Sequence, residues 1–118
     1  MQMSGPGQRV QVFIKEGEYA HGKPLYLAIL ELLRGEGGAG ATVTRGIAGF
    51  GSHSKIHNAN LIDLAMPLPL VITWVDAPEA VERLLPAICD LVQEGLVTVD
   101  DIQIVKHTHP EFGAPSRG

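Results

Sequence analysis

Pro69-Leu-Val-Ile-Thr-Trp-Val75 decides the fold. In an extended chain successive side chains point to opposite faces, and this run is apolar in both phases. It reads as a strand covered on both sides, one side by helices. Asp76-Ala-Pro-Glu79 follows, an Asp-x-x-Glu helix start with proline in the first turn. Val81, Leu84, Leu85, Ile88, Leu91 and Val92 then form the apolar stripe of a helix that contains Pro86 and stops at Gly95. Cys89 falls among these apolar residues and reads as a buried thiol. Beyond it Val97 and Val99 alternate, Asp100-Asp101 suggests a turn or bulge, and Ile102 and Ile104 resume a last strand to about His107.

The chain before Pro69 has the matching half. Arg9-Val-Gln-Val-Phe-Ile-Lys15 alternates as a strand. Gly17 and Gly22 lie in a polar turn, and Pro24 opens a helix whose stripe is Leu25, Ala28, Ile29, Leu32 and Leu33. Gly35, Gly37 and Gly38 end it. Ala41 to Phe50 reads as a strand with Val43 and Ile47 on one face and Arg45 between them, loosened by Gly46 and Gly49. Ser52 to Asn60 is polar and aperiodic, a loop. The order is strand, helix, strand, strand, helix, strand: an α+β, ferredoxin-like βαββαβ sandwich with both helices on one face of a four-stranded antiparallel sheet. Phe13, Leu70 or Val71, and Trp74 or Val75 would be left on the other face, which calls for self-association.

The 118 residues suit one domain, expected over 9–108, with disordered tails over 1–8 and 109–118. A net charge of −4 argues against nucleic-acid binding. A single cysteine excludes an internal disulfide. With no signal pattern and no apolar run of ~20 residues, a cytoplasmic location without membrane insertion is expected.

Several segments are more specific than the element order. His21-Gly-Lys-Pro-Leu-Tyr-Leu-Ala-Ile-Leu30, Arg45-Gly-Ile-Ala-Gly-Phe-Gly51, Ile56-His-Asn-Ala-Asn-Leu-Ile-Asp-Leu64, Leu68 to Asp76, and Glu94 to Val105 follow in order. Together they resemble the family called domain of unknown function 190, grouped with the PII-like signalling proteins, over about Arg9 to His107. The resemblance implies a homotrimer with ligand sites in clefts between subunits. It also implies a regulatory rather than enzymatic role, and a loop over about 51–67 that touches a protein partner, by PII analogy a membrane transporter. An adenine nucleotide is the effector this suggests; no cofactor is expected. Where PII proteins wrap phosphates with a glycine- and lysine-rich loop, this chain has Glu94-Gly-Leu-Val-Thr98, whose carboxylate repels phosphate. No tyrosine lies in the 51–67 loop, which excludes PII-type tyrosine modification there.

The first ligand-site candidates are Arg45, Gly46, Gly49, Phe50 and Gly51. Glycine N–H groups can form an anion-binding concavity, arginine can grip a phosphate or carboxylate bidentately, and Phe50 can stack on a base. The alternative is a bulged strand with a surface ion pair. His21 and Lys23, before the first helix, add a second anion-attracting place, with a solvated turn as the plain reading; Tyr26 can cap a pocket. Ser52, His53, Lys55 and His57 are the partner-contacting loop residues. The His53/His57 and His107/His109 spacings leave open a metal-binding trimer of the copper-tolerance (CutA) type, although no metal ligand is assigned. Ser52 and Ser54 lack a Gly-x-Ser-x-Gly elbow, and Asp100-Asp101 reads as a solvated turn, so no catalytic residue is assigned.

Overall fold

The structure is a computed structural model that describes residues 2–50, 57–58 and 67–108. Its elements are β1 (Gln2–Lys15), β2 (Tyr19–Ala20), β3 (Lys23–Pro24), α1 (Leu25–Gly35), β4 (Ala41–Arg45), β5 (Ala48–Gly49), β6 (His57–Asn58), β7 (Pro69–Asp76), α2 (Pro78–Leu91) and β8 (Leu96–Thr108). The main sheet has the order β4-β7-β1-β8, all antiparallel. With α1 and α2 packed on one face this is the ferredoxin-like sandwich expected from the sequence.

Period-two burial in β7 sets the layers. Leu70, Ile72, Trp74 and Asp76 are buried, and Pro69, Val71, Thr73 and Val75 are half-buried. Val10, Val12 and Ile14 of β1 share the buried face and meet Leu25, Ile29 and Leu33 of α1 and Val81, Leu84 and Ile88 of α2. Each such side chain contributes about 1.5–3 kcal/mol on leaving water. The opposite face carries Phe13, Leu96, Val71 and Val75, with Phe13 and Leu96 exposed.

Five expectations need correction. Residues 2–8 are not a tail: they extend β1 and pair with β8, from Gln2 opposite Thr108 to Gln8 opposite Asp101. Backbone pairing with a distant strand overrides their Gly/Pro-rich composition. The 109–118 tail lies outside the described residues. Asp100-Asp101 makes no turn; both stay in β8, where Arg9 grips Asp100 and Gln8 donates to Asp101. The irregularity lies further along, opposite Met3–Gly5. The second core strand stops at Arg45, because Gly46 turns its N–H to the Pro69 carbonyl at 2.7 Å, and Ile47 is exposed. Asp76 does not cap α2. The N-cap is Ala77, and the buried carboxylate accepts from Ala39, Trp74 and Ala77 instead. Cys89 is exposed, since only Val81, Leu84 and Ile88 are fully buried along α2.

Candidate functional site

The site begins where three strand ends meet. β1 ends opposite the start of β7, with Lys15 facing Pro69, and β4 ends with Arg45 facing Leu70. The residue that follows β1, Glu16, lies beside both. Its N–H donates to the Leu68 carbonyl at 2.9 Å, and its Oε1 accepts from the Leu68 N–H at 3.1 Å. Its other oxygen, Oε2, accepts from Arg45 Nε at 2.6 Å and also pairs with Nη2. The Leu68 N–H and the Arg45 guanidinium hold the Glu16 carboxyl below the usual carboxylate range. One carboxylate thus binds both Arg45, the last residue of β4, and Leu68, the residue before β7.

A pocket of about 360 Å³ opens beside this ion pair. Its walls are Tyr19 and Pro24 from the β2–β3 hairpin, Tyr26 from α1, Val43 and Leu70 from the sheet, and Glu16, Gly17 and Arg45 at one end. The hairpin was not expected from the sequence. Its two central residues, His21 and Gly22, both have positive φ (55° and 79°), as a two-residue type I′ turn requires. Glycine is natural there, and His21 takes a conformation that few side chains adopt. The Glu18 carbonyl then accepts from Leu25 N–H at 2.7 Å, which fixes the hairpin to the start of α1. Nearby, burial and the Glu94 charge raise the Glu18 carboxyl above its usual range, with Lys15 opposing them.

The expected site residues divide. Arg45 reaches the pocket and Tyr26 forms part of its wall. Gly46 and Gly49 instead make room for the Pro69 ring: a Cβ would stand 2.8 Å from Pro69 Cγ at Gly46 and 3.1 Å at Gly49. The Gly46 N–H is committed to Pro69. Phe50 is exposed and outside the pocket lining. Lys23 pairs with Glu31 at 2.5 Å, and His21 occupies the exposed hairpin turn; neither lines the pocket. Gly51, Ser52, His53, Lys55 and His109 lie outside the described residues. The backbone of His57 pairs with Gly49 to form a short ladder where a loop was expected. Among the described residues no three His, Cys, Asp or Glu side chains gather as a metal site. Sequence reading missed Glu16 and Tyr19, whose one signal is a charged and an aromatic residue in a polar turn.

Comparison with known proteins places this geometry in context. The model of the domain of unknown function 190 family, described as an uncharacterized ACR, matches residues 7–104. A UPF0166 protein of Aquifex aeolicus is 35% identical over 96 residues, covering 81% of this chain and 90% of the relative. A UPF0166 protein of Methanocaldococcus jannaschii is 31% identical over 98 residues, covering 82% of this chain and 90% of that one. Among solved structures, CPII of Thiomonas intermedia K12, a nitrogen regulatory PII-like protein bound to ADP, AMP and bicarbonate, superposes with a TM-score of 0.62 at 26% identity, covering 86% of this chain and 91% of CPII. A PII-like signalling protein of Thermus thermophilus matches in fold alone, with a TM-score of 0.60 at 15% identity, covering 86% of this chain and 92% of that one. With nearly the whole ferredoxin-like unit matched, the chain belongs to the domain of unknown function 190 family, whose fold is PII-like.

Proposed function

We propose that the chain is a cytoplasmic PII-like regulatory protein rather than an enzyme. It acts as a homotrimer that binds a small anionic effector, an adenine nucleotide, and signals to a protein partner through the 51–67 segment. The observation that carries this reading is the pocket that Arg45 lines together with Tyr19 and Tyr26, at the root of that segment. Guanidinium is the group of choice for phosphate and carboxylate, and aromatic walls suit a flat base. The volume sits at the lower end of ligand pockets, which run about 300–1,000 Å³. A neighbouring subunit supplies the remaining wall in this reading. The nucleotides and bicarbonate held by CPII support the ligand class. The apolar sheet face around Phe13, Val71, Val75 and Leu96 supports self-association.

Among the described residues no helix is long and apolar enough to cross a membrane; a membrane transporter enters this reading as the partner.

Thermal unfolding with AMP, ADP, ATP and bicarbonate tests the reading. A ligand at 100 times its Kd adds about 2.7 kcal/mol of stability. One nucleotide should raise Tm in the wild type and leave Arg45→Ala unmoved. Equal shifts in both proteins would remove Arg45 from the site. No shift with any of the four compounds would end the nucleotide reading.

A further inference from the structure

The anion pocket carries its own anion. Among the described residues that line it, Arg45 is the one cation and Glu16 the one acid, and the two are paired. The two charges of this pair cancel, and an incoming phosphate or carboxylate meets a guanidinium whose Nε and Nη2 are already engaged. The nearby Lys23 offers no relief, since it is paired with Glu31. Glu16 is also the residue that holds Leu68, through two backbone contacts on either side of its own Cα: N–H to the Leu68 carbonyl, and carboxylate to the Leu68 N–H.

We propose that Glu16 is a built-in competitor for Arg45: an anionic effector takes the guanidinium from Glu16, and the freed carboxylate lets go of the Leu68 N–H. The inference rests on the anion-binding reading of this pocket and specifies how occupancy is transmitted. The two arms of the clamp share one carboxylate, so an anion that takes Arg45 also places a like charge beside Glu16, and a carboxylate pushed aside by that repulsion gives up Leu68. The guanidinium is free to move because the Arg45 side chain is 63% exposed, while the Glu16 side chain is 28% exposed and anchored through its own backbone. Exposed ion pairs are weak, so a ligand phosphate of higher charge can replace one. The effector class that follows is an anion attached to a flat or apolar body that lies against Tyr19, Tyr26 and Pro24.

The test uses the isotope-labelled full chain with ADP as probe, and reads Kd by calorimetry and exchange of the Leu68 amide by NMR. Glu16→Gln keeps the shape and removes the competing charge, so it should bind ADP about two- to five-fold more tightly than wild type. Saturating ADP should speed Leu68 exchange in the wild type by about tenfold or more. Glu16→Ala, which lacks both acceptors, should show that faster exchange without ADP. Unchanged or weaker ADP binding by Glu16→Gln overturns the competition and makes Glu16 a support for Arg45. A Leu68 amide that stays protected at saturating ADP overturns the transmission. Failure of wild type and Glu16→Gln alike to bind ADP, AMP or ATP overturns the nucleotide reading together with this inference. In that case Leu68 exchange in ligand-free Glu16→Ala still reports whether the clamp exists.

Discussion

Trp74 Nε1 donates to Asp76 Oδ2 at 3.0 Å, and the same oxygen accepts from the Ala39 N–H at 2.9 Å. Two residues apart on β7, both side chains point into the core, where Trp74 is 1% and Asp76 6% exposed. Asp76 is the one buried charged residue among the described residues. The pair anchors the link between α1 and β4 to the sheet, because Ala39 lies two residues before β4 begins.

Asp76→Ala should therefore cost more than a surface change. It strands the buried indole N–H and the half-buried Ala39 N–H, at about 1–3 kcal/mol for each group left unpaired. A Tm loss of roughly 8–24 °C is the expected outcome, at about 4 °C per kcal/mol for a domain of this size. Asp76→Asn keeps one acceptor and should lose less. A Tm loss for Asp76→Ala of only about 2 °C or less would show that water replaces the carboxylate.

Gly95 joins α2 to β8 with φ of 153°, and a Cβ there would stand 2.6 Å from the Phe13 carbonyl oxygen. Backbone does not yield as a flexible side chain does. Gly95→Ala should destabilise by about 1–3 kcal/mol, measured by urea unfolding with the m-value unchanged. Gly17, with open space around its Cβ position, serves as the control whose alanine variant suffers from φ alone.

Two carboxylates near the site should shape the pH dependence of stability in opposite senses. Glu16 is held below its usual range, so it adds stability above the unfolded pKa, about 4.3, and that stability is lost as pH falls through the lower folded value. Glu18 is pushed above its usual range by burial and Glu94, so its benefit is full below the unfolded pKa and disappears as pH rises through the folded value. Denaturant melts from about pH 3 to 7 should show Glu16→Gln less stable than wild type at neutral pH and nearing it in acid. Glu18→Gln should be more stable than wild type at neutral pH. The reverse order there would mean that the Arg45 and Glu94 contacts do not persist in solution.

The open sheet face should govern association. In light scattering the wild type is expected at three times the 12.6 kDa chain mass, and Phe13→Glu/Val71→Glu as a folded monomer with unchanged far-ultraviolet dichroism. A monomeric wild type would contradict the trimer.

Much of this architecture is legible without coordinates. The period-two run Pro69–Val75 and the stripes Leu25–Leu33 and Val81–Ile88 each report a local repeat that one face must bury. Arg45, the arginine amid glycines singled out in the sequence, lines the pocket.

What composition implied about Gln2–Gln8 and Asp100-Asp101 was wrong for one reason. Each segment is poor in local preference for a strand, and each is held in one by pairing between β1 and β8, which lie some 90 positions apart in sequence. The same holds at the site. Glu16 meets Arg45 over 29 positions and Leu68 over 52, and only strand register brings the three together. Sequence by itself determined the two helices, the four core strands, their order and the family, because periodicity and motif are local or collinear; which phase of Pro69–Val75 is buried was decided by the structure. The tertiary structure alone decided which acid neutralises Arg45, that Tyr19 walls the pocket and that Gly46 yields to Pro69, because those contacts depend on how distant strands align.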